Sequence, residues 1–111
     1  MATILRKIAE QVLSRTAFSN LAMDRARDAA VDTIGCMIAG RGDESVAALT
    51  RAFDGEIAGG GEARLVTGGS VSPSLAALIN ATAAHALDFD DNFHPARAHA
   101  SAVLVLSLIH I

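Results

Sequence analysis

Apolar residues recur every three or four positions over much of the chain, which is the spacing of amphipathic α-helices. In 3–14 the apolar positions are Ile4, Leu5, Ile8, Val12 and Leu13. After a polar break at 14–20, a longer helix is predicted to run to Ala39, where Gly40 supplies a stop signal. A third helix is predicted to begin at Asp43 or Glu44 and to end before Gly55, ahead of a glycine-rich loop.

The pattern changes after that loop. Residues 64–67 are β-favouring and are followed by two glycines, which predicts one brief strand or extended segment that leads into a turn. Ser72 then offers an N-cap and Pro73 suits the first position of a helix. This fourth helix is predicted to end near 85–88, and its many alanines permit close approach of neighbouring helices, with burial expected on all sides.

A proline at position 95 interrupts regular structure, and the apolar stretch 100–109 predicts the start of another helix. The resulting fold class is mainly α with at most one short strand. For 111 residues, the core is small enough that a partner surface is a reasonable expectation.

The composition of the chain limits the kinds of function that it could have. The net charge of −3 comes with basic residues spread along the chain, so no cationic stripe is available for nucleic acid. The lone Cys36 lies in an apolar helical stretch and is predicted to be a buried structural thiol. Without a leader pattern or an apolar segment of membrane-spanning length, the sequence predicts no membrane partner and a cytoplasmic location.

Candidate chemistry is concentrated in 85–99, where three aspartates, three histidines and one arginine fall within a short stretch after the alanine-rich helix. Carboxylates that lose water hold protons more tightly, and histidine moves protons near neutral pH, so such a cluster suits acid/base chemistry. A solvated polar helix end is an equally good interpretation of the composition alone.

The stretch 76–91, an alanine-rich helix that runs into His-Ala-Leu-Asp-Phe-Asp-Asp, resembles the signature of the MmgE/PrpD family. Weaker similarity covers 32–40 and 65–73 and extends to about position 105. The resemblance implies that 1–105 form the N-terminal part of an all-helical domain. It also implies a metal-independent lyase without a cofactor that acts on di- or tricarboxylic acids as a homodimer, with 2-methylcitrate dehydratase favoured over cis-aconitate decarboxylase.

By the same resemblance, Asp88 is a catalytic carboxylate and His99 is a proton-transfer group. Asn92 stands where relatives often have a threonine that contacts substrate, and Ala100 stands where many have proline. These two departures leave the identity of the polycarboxylate open.

Five other polar residues of this stretch receive weaker assignments. His94 and Arg97 are candidate substrate contacts, although exposed loop positions are more often solvated. His85 is predicted to be a structural histidine with satisfied hydrogen bonds. Asp90 and Asp91 are predicted to orient the loop through backbone N–H groups.

Three rival hypotheses come from other classes. Asp88 to Asp91 also match the Asp-x-Asp-Asp string of some terpene cyclases, but the absence of Trp and Tyr leaves few aromatic side chains to stabilise a carbocation. A metal site could draw on His85, Asp88, Asp91, His94 or His99. The third rival is a non-catalytic helical interaction module.

The final residues, 106–111, do not resemble the continuation of the family's helix. We therefore expect a truncated reading frame with a foreign tail. On that expectation, further substrate contacts belong to a missing part, and the chain alone is inactive.

Overall fold

A computed structural model describes residues 3–92, 94 and 97–109, with side chains as far as 107. Within these residues the helices and strands are, in order, α1 (Ile4–Leu13), α2 (Asn20–Gly40), α3 (Glu44–Ala52), α4 (Asp54–Gly59), β1 (Ala63–Arg64), β2 (Ser70–Val71), α5 (Pro73–His85) and α6 (Ala100–Ile109). The mainly helical prediction is confirmed. The predicted break at Pro95, and positions 110 and 111 of the predicted tail, lie outside the described residues.

Four helices begin where a short polar side chain accepts a hydrogen bond from the first turn. Thr3, Ser19, Asp43 and Ser72 fill this N-cap role for α1, α2, α3 and α5. Each cap satisfies a backbone N–H that has no partner within its helix. The side-chain hydrogen bond from Ser45 and then that from its backbone N–H lower the pKa of Asp43, which favours the ionised cap.

Two elements differ from their sequence predictions. The glycine-containing stretch after α3 forms the short helix α4 and not only a loop. The single extended segment predicted at 64–67 is a hairpin in which β1 pairs antiparallel with β2, with Ala63 opposite Val71. Gly68 and Gly69 both have positive φ angles at the turn, a conformation that glycine adopts without a steric penalty.

Helix α5 is the central element, because it packs against α2, α3, α6 and both strands. The main core contains the fully buried Val46, Val71, Ala76, Ile79 and Ala83. The expectation that α5 is buried on all sides is wrong, since the Leu78 side of the helix is exposed. That exposed side forms part of the cavity described below.

Helices α2 and α5 approach closely at Gly40. A methyl group added there would overlap the carbonyl oxygen of Ala83 and crowd the side chain of Ala86. Gly40 is therefore required for the spacing of the two helices, while it remains within α2 as its last helical residue. This contact lies within two residues of His85, so it also fixes the end of the helix that carries the candidate chemistry.

Asn80 ties the hairpin to α5. Its buried side-chain oxygen accepts a hydrogen bond from the Val66 N–H, and its side-chain nitrogen donates to the Arg64 carbonyl oxygen, both at 2.9 Å. A buried amide with such partners avoids the cost of an unsatisfied polar group. These hydrogen bonds hold the hairpin against one side of the core, away from the C-terminal end of α5.

Helix α1 has the predicted amphipathic pattern, yet none of its residues is buried. Ile4, Leu5 and Leu13 are each at least three-quarters exposed. Contiguous exposed apolar surface of this kind marks contact surfaces on many proteins. Among the described residues, no helix is both long and apolar enough to cross a membrane.

The Gly40→Ala substitution should lower the free energy of unfolding by about 1–3 kcal/mol, because α2 and α5 must separate to accept the methyl group. Gly35→Ala is the matched control in the same helix, since a methyl group there meets no atom within 4 Å. That control should stabilise the chain by about 0.5–1 kcal/mol. Urea unfolding of the two variants measures the difference, and equal effects would show that the helices are not in the close contact described.

Candidate active site

The chain reverses direction directly after α5. The Asp88 N–H donates to the His85 carbonyl oxygen at 3.1 Å, and Asp88 adopts a positive φ of 54°. Aspartate tolerates this left-handed conformation better than most residues that have a Cβ atom. The turn ends the helix and directs Asp90 back toward the ring of His85.

Asp90 is the buried centre of the site, with a side chain that is 1% exposed. Its two carboxylate oxygens lie 3.1 and 3.3 Å from Nδ1 of His85, within hydrogen-bonding distance. Oδ2 also lies 3.3 Å from Nδ1 of His99. The latter approach has poor hydrogen-bond geometry, and among the described residues the buried Nδ1 of His99 has no hydrogen-bond partner.

The two imidazoles are themselves in contact. The ring centroids of His85 and His99 are 4.5 Å apart in an edge-to-face arrangement. On the outer side of the cluster, Oδ1 of Asp88 lies 3.7 Å from Nε2 of His99. Asp88 is largely exposed, His99 is about three-quarters buried and Asp90 is buried, so the cluster runs from solvent into the protein.

The position of Asp90 bears on the tautomer of His85. A carboxylate hydrogen-bonded to Nδ1 favours the tautomer in which Nδ1 carries the proton, which leaves Nε2 with its lone pair. In His99 the Nε2 atom faces Asp88. The arrangement therefore places an imidazole nitrogen and a carboxylate side by side at the outer edge of the cluster.

A cavity of about 500 Å³ lies next to this cluster. Its polar contributions include His85, Asp90 and His99, while its apolar wall comes mainly from α5 and α6, with Leu78, Ala81, Ala86, Ala102 and Val103. A volume of this size is typical of small-molecule sites, which combine apolar walls with a few polar groups.

Asp91 points away from Asp90 and holds the start of α6. Its Oδ1 accepts a hydrogen bond from the Ser101 N–H at 3.0 Å. A carboxylate at the N-terminus of a helix satisfies a free N–H group and interacts favourably with the helix dipole. The prediction that Asp91 orients the loop through a backbone N–H is confirmed, whereas Asp90 contacts histidine side chains.

Cys36 lies on α2 and is 8% exposed, as expected for a structural thiol. Burial raises the pKa of this thiol, and the negative charges of Asp32 and Asp90 raise it further. The thiol therefore stays protonated and unreactive at neutral pH.

The predicted site residues fall into two groups. Ten residues intervene between Asp88 and His99 in the sequence, yet their side chains lie 3.7 Å from each other. His99 lines the cavity, and Asp88 lies on the solvent side of His99. Asn92, His94 and Arg97 are on exposed parts of the connecting loop. Among the described residues they are not part of the cavity lining, and their substrate-binding roles remain predictions.

Sequence reasoning assigned Asp90 to backbone N–H groups and His85 to a purely structural role, whereas Asp90 contacts the two histidines and His85 lines the cavity. The predicted hydrogen-bonded histidine is present, but the His85 side chain is also 55% exposed and lines the cavity. The set that could hold a cation also differs from the predicted one. It contains His85, Asp88, Asp90 and His99, with one donor atom from each within 4.8 Å of the others, and leaves out Asp91 and His94.

The imidazole and carboxylate groups beside the cavity are side chains of the types that acid/base chemistry uses. Residues 6–109 match the family model of the MmgE/PrpD N-terminal domain. The chain therefore belongs to the MmgE/PrpD family, a family of lyase-type enzymes, and this match favours the family over the terpene cyclase hypothesis. No curated protein and no solved structure matches the chain.

Asp91→Ala should lower the free energy of unfolding by about 0.5–2 kcal/mol, because the Ser101 N–H loses its acceptor. Asp91→Asn keeps an acceptor oxygen but loses the charge, so it should cost less, about 0.3–1 kcal/mol. Both effects can be measured by urea unfolding, with the exposed Asp28→Asn as the control. If the alanine variant is as stable as the control, Asp91 does not hold the start of α6.

Proposed function

We propose that this domain forms one wall of the active site of a lyase that acts on di- or tricarboxylic acids, by water elimination of the 2-methylcitrate dehydratase type. The observation that carries the proposal is the pairing of Asp88 Oδ1 with His99 Nε2 at 3.7 Å, above a buried carboxylate and beside a cavity. Family membership supplies the reaction class. The cavity volume supports a substrate of small-molecule size.

The elimination moves one proton from carbon to oxygen. The Asp88 and His99 pair takes the proton from the carbon next to a substrate carboxylate, and the electron pair of that C–H bond forms the new double bond. The neighbouring C–O bond breaks, and the pair returns the proton to the departing hydroxyl, which leaves as water. Because Asp88 and His99 are 3.7 Å apart, the pair can both accept and return this proton. No separate acid is then needed on the opposite side of the substrate.

Asp90 acts on this pair as a positioning residue. It lies within 3.3 Å of Nδ1 of both imidazoles, which holds their rings in place, and its hydrogen bond to His85 favours the tautomer with the proton on Nδ1. His85 lines the cavity together with Asp90, and its exposed side chain is proposed to face the substrate. Neither residue needs to exchange protons with substrate for this function.

Recognition of the substrate carboxylates is assigned to the loop between α5 and α6. Arg97 is proposed to bind one carboxylate bidentately, and Asn92 and His94 are proposed to contribute further polar contacts. The remaining cationic contacts are assigned to parts of the enzyme beyond this domain. We propose that the complete enzyme takes part in propionate catabolism and works as a cytoplasmic homodimer. The exposed apolar face of α1 supports this assembly.

The test uses the complete enzyme that contains this domain and a panel of 2-methylcitrate, citrate and cis-aconitate. Asp88→Asn and His99→Ala should each lower kcat about 10²- to 10⁴-fold on the preferred substrate, the usual contribution of a positioned acid or base. Asp88→Asn is well matched in shape, since asparagine also tolerates the positive φ angle. Asp28→Asn on α2 is the control and should retain full activity.

The outcomes separate the hypotheses. Full activity in both site variants would contradict the proposed roles. Carbon dioxide release from cis-aconitate, without dehydration of 2-methylcitrate, would assign the enzyme to the decarboxylase alternative. Absence of turnover throughout the panel would favour the non-catalytic interaction module.

A further inference from the structure

We infer that His85, Asp88, Asp90 and His99 form a binding site for a divalent cation of the zinc class. Two imidazoles and two carboxylates are a donor set that zinc and neighbouring transition metals prefer. One donor atom from each of the four lies within 4.8 Å of the other three. The donors come from the end of α5, the turn that follows it and the residue before α6, so the fold brings them together from separate elements.

The spacing of the two imidazoles from Asp90 is close to that of a tetrahedral site. With metal–ligand bonds of about 2.0–2.1 Å, neighbouring donors of a tetrahedral zinc ion lie about 3.3 Å apart. Nδ1 of His85 and Nδ1 of His99 lie 3.1 and 3.3 Å from carboxylate oxygens of Asp90. Asp88 Oδ1 lies 3.7 Å from the other nitrogen of His99, Nε2, so Asp88 must move to join the same set, and its 81% exposed side chain is free to do so.

The buried part of the cluster gives a second, independent reason. Nδ1 of His99 is a buried polar atom without a hydrogen-bond partner among the described residues, although Asp90 Oδ2 lies 3.3 Å away. A buried polar atom without a hydrogen bond is costly, and coordination to a cation is one of the ways to satisfy such a site. The buried carboxylate of Asp90 also adds a negative charge that attracts a cation.

Metal binding here has a consequence for catalysis that rests on the proposed function. A cation bound to Nδ1 of His99 leaves the ring proton on Nε2, and it also occupies a lone pair of Asp88, so neither group can accept the proton that the elimination moves. Zinc is therefore an inhibitor of the enzyme and competes with the polycarboxylate substrate for the same side chains. The substrate itself chelates zinc, so the binding test must be separate from the activity assay.

The direct experiment titrates the 111-residue chain with Zn²⁺ in competition with a chromophoric chelator, and with Co²⁺ while its visible absorption is recorded. The expected results are one metal ion per chain and an intense four-coordinate Co²⁺ spectrum. His85→Ala, His99→Ala and Asp88→Asn should each weaken Zn²⁺ binding at least about tenfold. His94→Ala is the matched control on the same loop and should bind Zn²⁺ with unchanged affinity.

Circular dichroism confirms the helical content of each variant. Asp88→Asn alters only an exposed side chain, so its effect on binding remains interpretable even if a histidine variant unfolds. Failure to bind one Zn²⁺ ion, equal weakening in His94→Ala, or unchanged affinity in Asp88→Asn would overturn the inference. Because none of these readouts depends on turnover, their failure leaves the proposed lyase function standing, and loss of that function leaves the metal site standing.

Discussion

The structure of the site depends on one buried negative charge. The Asp90 carboxylate is almost wholly removed from water, and an unpaired charge in that position would strongly oppose folding. Its contacts with His85 and His99 offset this cost. Because His85 ends α5 and His99 directly precedes α6, the same contacts close the loop between the two helices. The contacts that offset the buried charge of Asp90 therefore also determine the geometry of the site.

The packing of the helices holds these side chains in the positions that the contacts require. Gly40 allows α2 to approach α5 next to Ala83, and small residues along α5 leave room for the neighbouring helices. Asn80 uses its buried amide to hold the hairpin on the opposite side of the core. These contacts fix α5, so that His85 and the turn after it have a rigid base. Catalytic and binding groups on such supports keep their relative positions better than groups on an unsupported loop.

Local sequence signals were sufficient for much of the fold. Helix periodicity, the polar caps and the Ser72-Pro73 start predicted α1, α2, α3, α5 and α6, because these features act within a few residues of each other. The short helix α4 was not predicted, since its glycines favour a loop when considered alone. The partner of the predicted strand was also missed, because pairing of two-residue strands depends on Asn80 and the core behind them. Exposure of the α1 apolar face has no sequence signal at all.

The candidate site was predictable in composition but not in arrangement. Asp88 and His99 were selected through a family motif, and the structure places them together. The role of Asp90 depends on the left-handed turn at Asp88, and the direction of a side chain after such a turn cannot be obtained from residue spacing. The exposed positions of Asn92, His94 and Arg97 could likewise not be derived from the motif that suggested them.

The most direct test of the central claim is a nuclear Overhauser measurement between the ring protons of His85 and His99 in the folded chain. The account predicts a cross-peak in the wild-type protein, because the ring centroids are 4.5 Å apart, and its loss in Asp90→Ala while the resonances of α2 and α3 remain in place. A folded wild-type chain without that cross-peak, or an Asp90→Ala variant that keeps it at full strength, would contradict the claim that the buried carboxylate holds the two histidines together.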